Sequence, residues 1–117
     1  MSMADKKTIR VLAADDSAVM RGVLRRLFST QRQRHSGTAP AVELCGVVHD
    51  GLECLSAVLQ LRPDVLVLDL EMPRMHGLEV LERLRIEEPG LPVIMCSSYT
   101  ESGARSTLEA LALGAAV

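Results

Sequence analysis

Apolar residues fall along this chain in short blocks divided by polar turns, and the blocks alternate between two spacings. Ile9 to Ala14 is an almost continuous apolar run stopped by Asp15-Asp16, which suits a central strand in a covered sheet. From Ser17, a candidate cap, Met20, Val23, Leu24, Leu27 and Phe28 recur at helical spacing, with Arg21, Arg25 and Arg26 on the solvent side, and predict a helix to about Thr30. Gln31 to Pro40 is polar and broken by Gly37 and Pro40, so it reads as an exposed loop. Val42 to Val48 predicts a second strand, His49-Asp50-Gly51 a turn, and Leu52, Leu55, Val58 and Leu59 one face of a second helix closed by Pro63. Val65-Leu66-Val67-Leu68 is the most continuously buried-looking run and ends at Asp69, which predicts a strand in the middle of the sheet. Leu78, Leu81 and Leu84 predict a third helix stopped by Pro89-Gly90. Pro92 to Cys96 predicts a fourth strand ending at Ser97, and Ala104, Leu108 and Leu111 a fourth helix ending at Gly114.

Strand and helix alternate throughout, which predicts an α/β domain: a doubly wound parallel sheet with right-handed crossovers. A length of 117 residues suits one domain with one core, so any output activity is expected outside this chain. The chain stops at Val117, where a fifth strand would begin.

Composition narrows the function classes. With 48% hydrophobic and 24% charged residues and a net charge of -2, the chain is foldable and has no electrostatic pull toward nucleic acid or anionic membrane. There is no Trp, one Tyr and one Phe, so an aromatic platform for single-stranded nucleic acid is missing as well. No apolar run approaches the ~18 residues of a membrane span, and Met1 to Arg10 is polar, which leads us to expect a cytoplasmic protein. Cys45, Cys54 and Cys96 lack close-pair spacing and sit among apolar residues, so they read as buried free thiols.

The polar residues at the strand ends carry the candidate chemistry. Ligands of open parallel sheets bind beyond the carboxyl ends of the strands, where the strand order reverses. Asp15 and Asp16 follow the first strand, Asp69 the third and Ser97 the fourth. With a 2-1-3-4 strand order, three carboxylates converge and need a cation. Mg²⁺ fits, being small, hard and satisfied by carboxylate, carbonyl, water and phosphate oxygens. Asp16 and Asp69 are expected as direct ligands, with Asp15 acting through water. A metal-bound Asp69 could attack a phosphoryl donor, with Ser97 and the loop amides after Asp69 donating hydrogen bonds to the phosphoryl oxygens. Taken singly, a strand-end Asp is a common turn former and a strand-end Ser a common cap. The joint order of apolar run and Asp-Asp-Ser, apolar run and Asp, apolar run and Ser-Ser is what points to chemistry.

VLAADDSAVMR (11 to 21), RPDVLVLDLEMPRMHG (62 to 77), LPVIMCSS (91 to 98) and EALALGA (109 to 115) together resemble a response-regulator receiver domain, over nearly the whole chain. The resemblance implies the flavodoxin-like, CheY-like fold with order 2-1-3-4-(5). It also implies Asp69 as phosphoacceptor, Asp15 and Asp16 as the acidic pair, Ser97 as the hydroxyl switch residue, and Glu71 as the residue whose backbone carbonyl reaches Mg²⁺. Within that family, LEMPRM and SSYTESGARSTLEALALGA look most like the regulatory domain of the chemotaxis protein-glutamate methylesterase. The implied partners are a CheA-type histidine kinase and the protein's own C-terminal output domain, a hydrolase. This chain alone would then be a phosphorylatable switch.

Three departures stand out. His76 replaces the family's usual Asp and is expected to cap a helix. The Gln31 to Pro40 loop is longer than the resemblance leads one to expect and reads as a surface insertion. The family's fifth-strand aromatic and its lysine would lie beyond Val117, so a chain ending there is expected to bind Mg²⁺, to phosphorylate slowly and to self-associate through the open edge of the fourth strand. Alternative readings of the same pattern are a receiver with a DNA-binding output domain, an interaction-only pseudo-receiver, and a phosphatase of the haloacid type with Glu71 as acid/base.

Overall fold

The computed structural model describes residues 8–15, 22, 25–26, 41–69, 72 and 74–96. Outside them lie Asp16, Glu71, Ser97, the Gln31 to Pro40 loop, the predicted fourth helix and the beginning of a fifth strand. Of the predicted first helix, Gly22, Arg25 and Arg26 are described, and they are helical and exposed.

The described elements run β1 (Thr8–Ala14), β2 (Ala41–Val48), α1 (Gly51–Leu61), β3 (Val65–Asp69), α2 (Gly77–Glu87) and β4 (Val93–Cys96). All neighbouring strands are parallel and their spatial order is β2-β1-β3-β4, the doubly wound arrangement that the alternation predicts. The β1/β2 register slips by one residue after Val11, so Cys45 lies opposite no residue of β1. Gly46 follows it for want of space: a Cβ there would lie 2.9 Å from Leu61 Cδ1 and 3.2 Å from Leu12 Cδ1.

Leu12 and Ala14 of β1, Leu66 and Leu68 of β3 and Val93 and Met95 of β4 share one face of the sheet. There they form a single core with Cys54, Ala57 and Val58 of α1 and Val80, Leu81 and Leu84 of α2. Leu12, Leu66, Leu68, Leu81 and Leu84 are essentially fully buried, each contributing about 1.5–3 kcal/mol of transfer free energy. Val11 and Ala13 point to the other face and are buried too, so β1 is covered on both sides.

Two readings of the pattern need correction. The unbroken buried run is Val11 to Ala14 of β1, not β3, where Leu66 and Leu68 are buried but Val65 and Val67 only partly so. β1 runs between an eight-residue and a five-residue strand, whereas β3 has the four-residue β4 on its outer side. The buried face of α1 also differs from the leucine stripe. Gly51, Cys54, Ala57 and Val58 face inward, and Leu52 and Leu59 are about half exposed at 46% and 50%. Small side chains let the helix axis approach the sheet, which rotates the larger leucines to its shoulders.

Helix ends are fixed by side chains. Asp50, in extended conformation, accepts from the Glu53 N–H at 2.9 Å and so caps α1. Arg62 closes α1 in the left-handed region at φ 47, its N–H on the Val58 carbonyl and its guanidinium paired with Glu88 at the end of α2. His76 caps α2 as expected, its Nδ1 accepting from Leu78 N–H at 3.1 Å, which requires that nitrogen to be unprotonated. At the amino edge of the sheet, Arg10 and Asp64 exchange two hydrogen bonds of 2.8 Å, and the Arg10 guanidinium donates to the last carbonyls of α1. Among the described residues, no helix is long and apolar enough to cross a membrane.

The entry into α1 is packed against the loop before α2. A Cβ on Gly51 would lie 2.1 Å from the Met75 carbonyl oxygen, far inside contact distance. Gly51→Ala is therefore expected to lower stability by about 2 kcal/mol despite the better helix propensity of Ala, read as a drop in thermal midpoint. The Glu53 N–H, and then the Arg74 guanidinium, hold the Asp50 carboxyl below its ordinary value of 3.8, against the opposing effect of burial. A lowered folded value makes this contribution fully present above the ordinary value and lost as pH falls through the folded one. The thermal midpoint of the native protein should accordingly fall more steeply as pH drops below about 4 than that of Asp50→Asn, and parallel curves would refute the linkage.

Candidate functional site

The site is an outcome of strand register. Ala14 pairs with Leu68 and Asp69 pairs with Cys96. Continuing the β1/β3 register by one residue sets Asp15 level with Asp69, on adjacent parallel strands roughly 4.8 Å apart. Side chains alternate along a strand, so both aspartates belong to the face of Val11, Ala13 and Val67, opposite the leucine core. Each is partly buried. The Asp15 N–H donates to the Val48 carbonyl at 3.0 Å, which fixes the chain where it leaves β1.

The structure thus places Asp15 directly after β1 and Asp69 at the end of β3, at the carboxyl ends of neighbouring strands. Asp16, Glu71 and Ser97 lie outside the described residues. Asp16 is next in the chain after Asp15, Glu71 lies two positions after Asp69, and Ser97 follows Cys96, the residue paired with Asp69.

The same edge carries a further group that pattern reading passes over as a turn. His49, Asp50 and Glu53 place ligand atoms within 4.8 Å of one another, a donor set consistent with Mg²⁺. Its members also hold one another and the next loop. His49 Nδ1 lies 3.0 Å from a Glu53 oxygen, Asp50 Oδ1 accepts from Glu53 N–H, and Asp50 Oδ2 accepts from Arg74 Nη2 at 2.7 Å. This is a different set from the strand-end aspartates, and its most buried carboxylate already faces an arginine. The sequence signal for it was present in Asp50-Gly51 and Arg74, but their meeting across 24 positions depends on tertiary packing.

Cys45 and Cys54 are free thiols. Burial pushes Cys54 up to about 12 and raises Cys45 as well. Thiolates at either position are scarce near neutral pH, in agreement with the unreactive role expected from their apolar neighbours. Cys45 is only half-buried, short of the full burial the sequence suggested.

Comparison with known proteins agrees with this geometry. The model of the response regulator receiver domain matches residues 11–116. A protein-glutamate methylesterase/protein-glutamine glutaminase of Pyrococcus abyssi is 44% identical over 93% of this chain and 27% of its own length. One of the same name from Chromobacterium violaceum is 47% identical over 92% of this chain and 28% of its own length. The chain therefore spans under a third of the length of these curated relatives. Among solved structures, the response regulator domain of Thermotoga maritima CheB superposes with a TM-score of 0.75 at 42% identity, covering 92% of this chain and 74% of that one. The REC domain of AraT, a response regulator of Geobacillus stearothermophilus, gives 0.72 at 29% identity, covering 92% and 76%. With its strand order, the level aspartates at the carboxyl edge and these matches, the chain belongs to the response regulator receiver domain family and closely matches the receiver domains of CheB-type methylesterases.

Proposed function

We propose that residues 1–117 form one receiver domain that takes a phosphoryl group from a histidine kinase onto Asp69 and thereby regulates a linked output domain. The observation that carries this reading is the placement of Asp69 level with Asp15 on neighbouring strand ends. Two carboxylates that close disfavour each other's ionisation unless a cation compensates. Mg²⁺ is the fitting cation: Asp15, Asp16 and Asp69 with the backbone carbonyl of Glu71 would hold it, and when bound it would supply neutralisation of charge on the phosphoryl oxygens.

In the transfer, an Asp69 carboxylate oxygen forms a bond to phosphorus as the bond from phosphorus to the kinase imidazole nitrogen breaks. The nitrogen lone pair returns to the imidazole, and the product is an acyl phosphate on Asp69. Ser97, just beyond β4, donates its hydroxyl to a phosphoryl oxygen and draws the following loop toward the site. The protein-glutamate methylesterases among its relatives support such an enzyme as output, in preference to a DNA-binding domain, and a CheA-type kinase as donor. Such a phosphorelay operates in the cytoplasm.

Beryllofluoride should bind in a Mg²⁺-dependent manner and raise the thermal midpoint by mass action, and Asp69→Asn should abolish that shift. An unchanged shift in the variant would sink the assignment of Asp69. Ser97→Ala should still accept phosphate in the intact protein but activate the output by at least about tenfold less, the loss of one charge-assisted hydrogen bond. Equal activation in both proteins would remove Ser97 from the switch.

A further inference from the structure

Among the described residues, Asp50 is the buried charged side chain, at 3% exposure. A carboxylate is kept in such a place only when both oxygens are satisfied, and here they serve two different partners. Oδ1 accepts from the Glu53 N–H and Oδ2 from Arg74 Nη2 at 2.7 Å. The first contact holds α1. The second reaches the loop that leads away from Asp69.

Arg74 has φ 65, a conformation that side-chain-bearing residues adopt rarely and keep only when their surroundings enforce it. The enforcement is visible on both sides. Met72 and Met75 are buried in the core, His76 caps α2, and the Met75 carbonyl lies where any Cβ on Gly51 would collide. Asp50 and Gly51 are consecutive, so the start of α1 grips the loop by an ion pair and by a close backbone approach at neighbouring positions. Met72 stands only three positions after Asp69. Displacement of this loop would be felt by the amides that follow the phosphoacceptor.

We propose that Asp50 is a positioning residue for phosphoryl transfer, acting through Arg74 to hold the loop after Asp69 in its reactive arrangement. The proposal rests on the receiver reading given above. It extends that reading to a helix cap on a different strand connection, outside the Asp15, Asp16, Asp69, Glu71 and Ser97 set assigned to Mg²⁺ and phosphate above.

Asp50→Asn is a discriminating variant. Its Oδ1 can still cap Glu53 N–H, while its amide NH₂ replaces Oδ2 and meets the Arg74 guanidinium donor against donor. In the intact protein at saturating Mg²⁺, phosphorylation by acetyl phosphate is followed by intact-protein mass spectrometry. Asp50→Asn should lower the limiting rate by about tenfold and leave the half-saturating acetyl phosphate concentration unchanged, because near-attack geometry is lost and not donor binding. Arg74→Met should show the same loss; the Arg74 side chain is 55% exposed, so folding should survive. The double variant should be no slower than either single one, and Arg74→Lys, which keeps the charge, should recover most of the rate. Native limiting rates in Asp50→Asn and Arg74→Met would overturn the proposal. So would losses that multiply in the double variant, or an Arg74→Lys as slow as Arg74→Met. Failure of the native protein to be labelled, or equal labelling of Asp69→Asn, would overturn the receiver reading instead.

Discussion

Leu12 and Ala14 of β1 pair with Leu66 and Leu68 of β3, and α1 and α2 cover these four side chains together. A slip of one residue would turn leucines out of that core and replace them with the smaller Val11, Ala13, Val65 and Val67, leaving it underfilled at a cost of several kcal/mol. The register is therefore fixed by burial alone, with no contribution needed from the aspartates. Once it is fixed, Asp15 and Asp69 have nowhere else to be. The core thus sets the spacing of the site, and does so from the opposite face of the sheet.

The polar edge then gathers carboxylates at the ends of neighbouring strands. Carboxylates held level on adjacent strands cannot be separated without breaking the β1/β3 pairing, and charge of one sign accumulates there. Asp50, on the next strand connection, has met the same difficulty with protein groups, a helix N–H and an arginine. The strand-end pair has donor chemistry that suits a hard divalent cation, and in the proposed function a bound cation would let a carboxylate face an incoming phosphoryl group.

Rigidity is distributed unevenly around this edge. The start of α1 and the loop before α2 are locked by contacts at consecutive residues, Asp50 with Arg74 and Gly51 with Met75. The opposite end of the sheet is tied by Arg10, Asp64, Arg62 and Glu88. In the proposed transfer, a loop that held donors in place would benefit from such over-determination, because reorganisation during the reaction raises its barrier.

The existence, type and order of the described elements were legible in the sequence, and so were Asp15 and Asp69 at strand ends, because apolar periodicity and strand-terminal polar residues are local properties. The cap at His76 was legible for the same reason. The face of α1 was not. Leucine spacing marked Leu52 and Leu59 as inward, while the small residues Gly51, Cys54 and Ala57 made the closer packing and took the core. Nor could periodicity reveal that the unbroken buried run lies in the second half of β1 and not in β3, since burial depends on what flanks each strand. The Asp50–Arg74 contact and the intolerance of Gly51 to a side chain belong to tertiary structure entirely. They join residues 24 positions apart whose individual signals, an Asp-Gly turn and a loop arginine, predict nothing about each other until the parallel crossover brings α1 alongside the loop after β3.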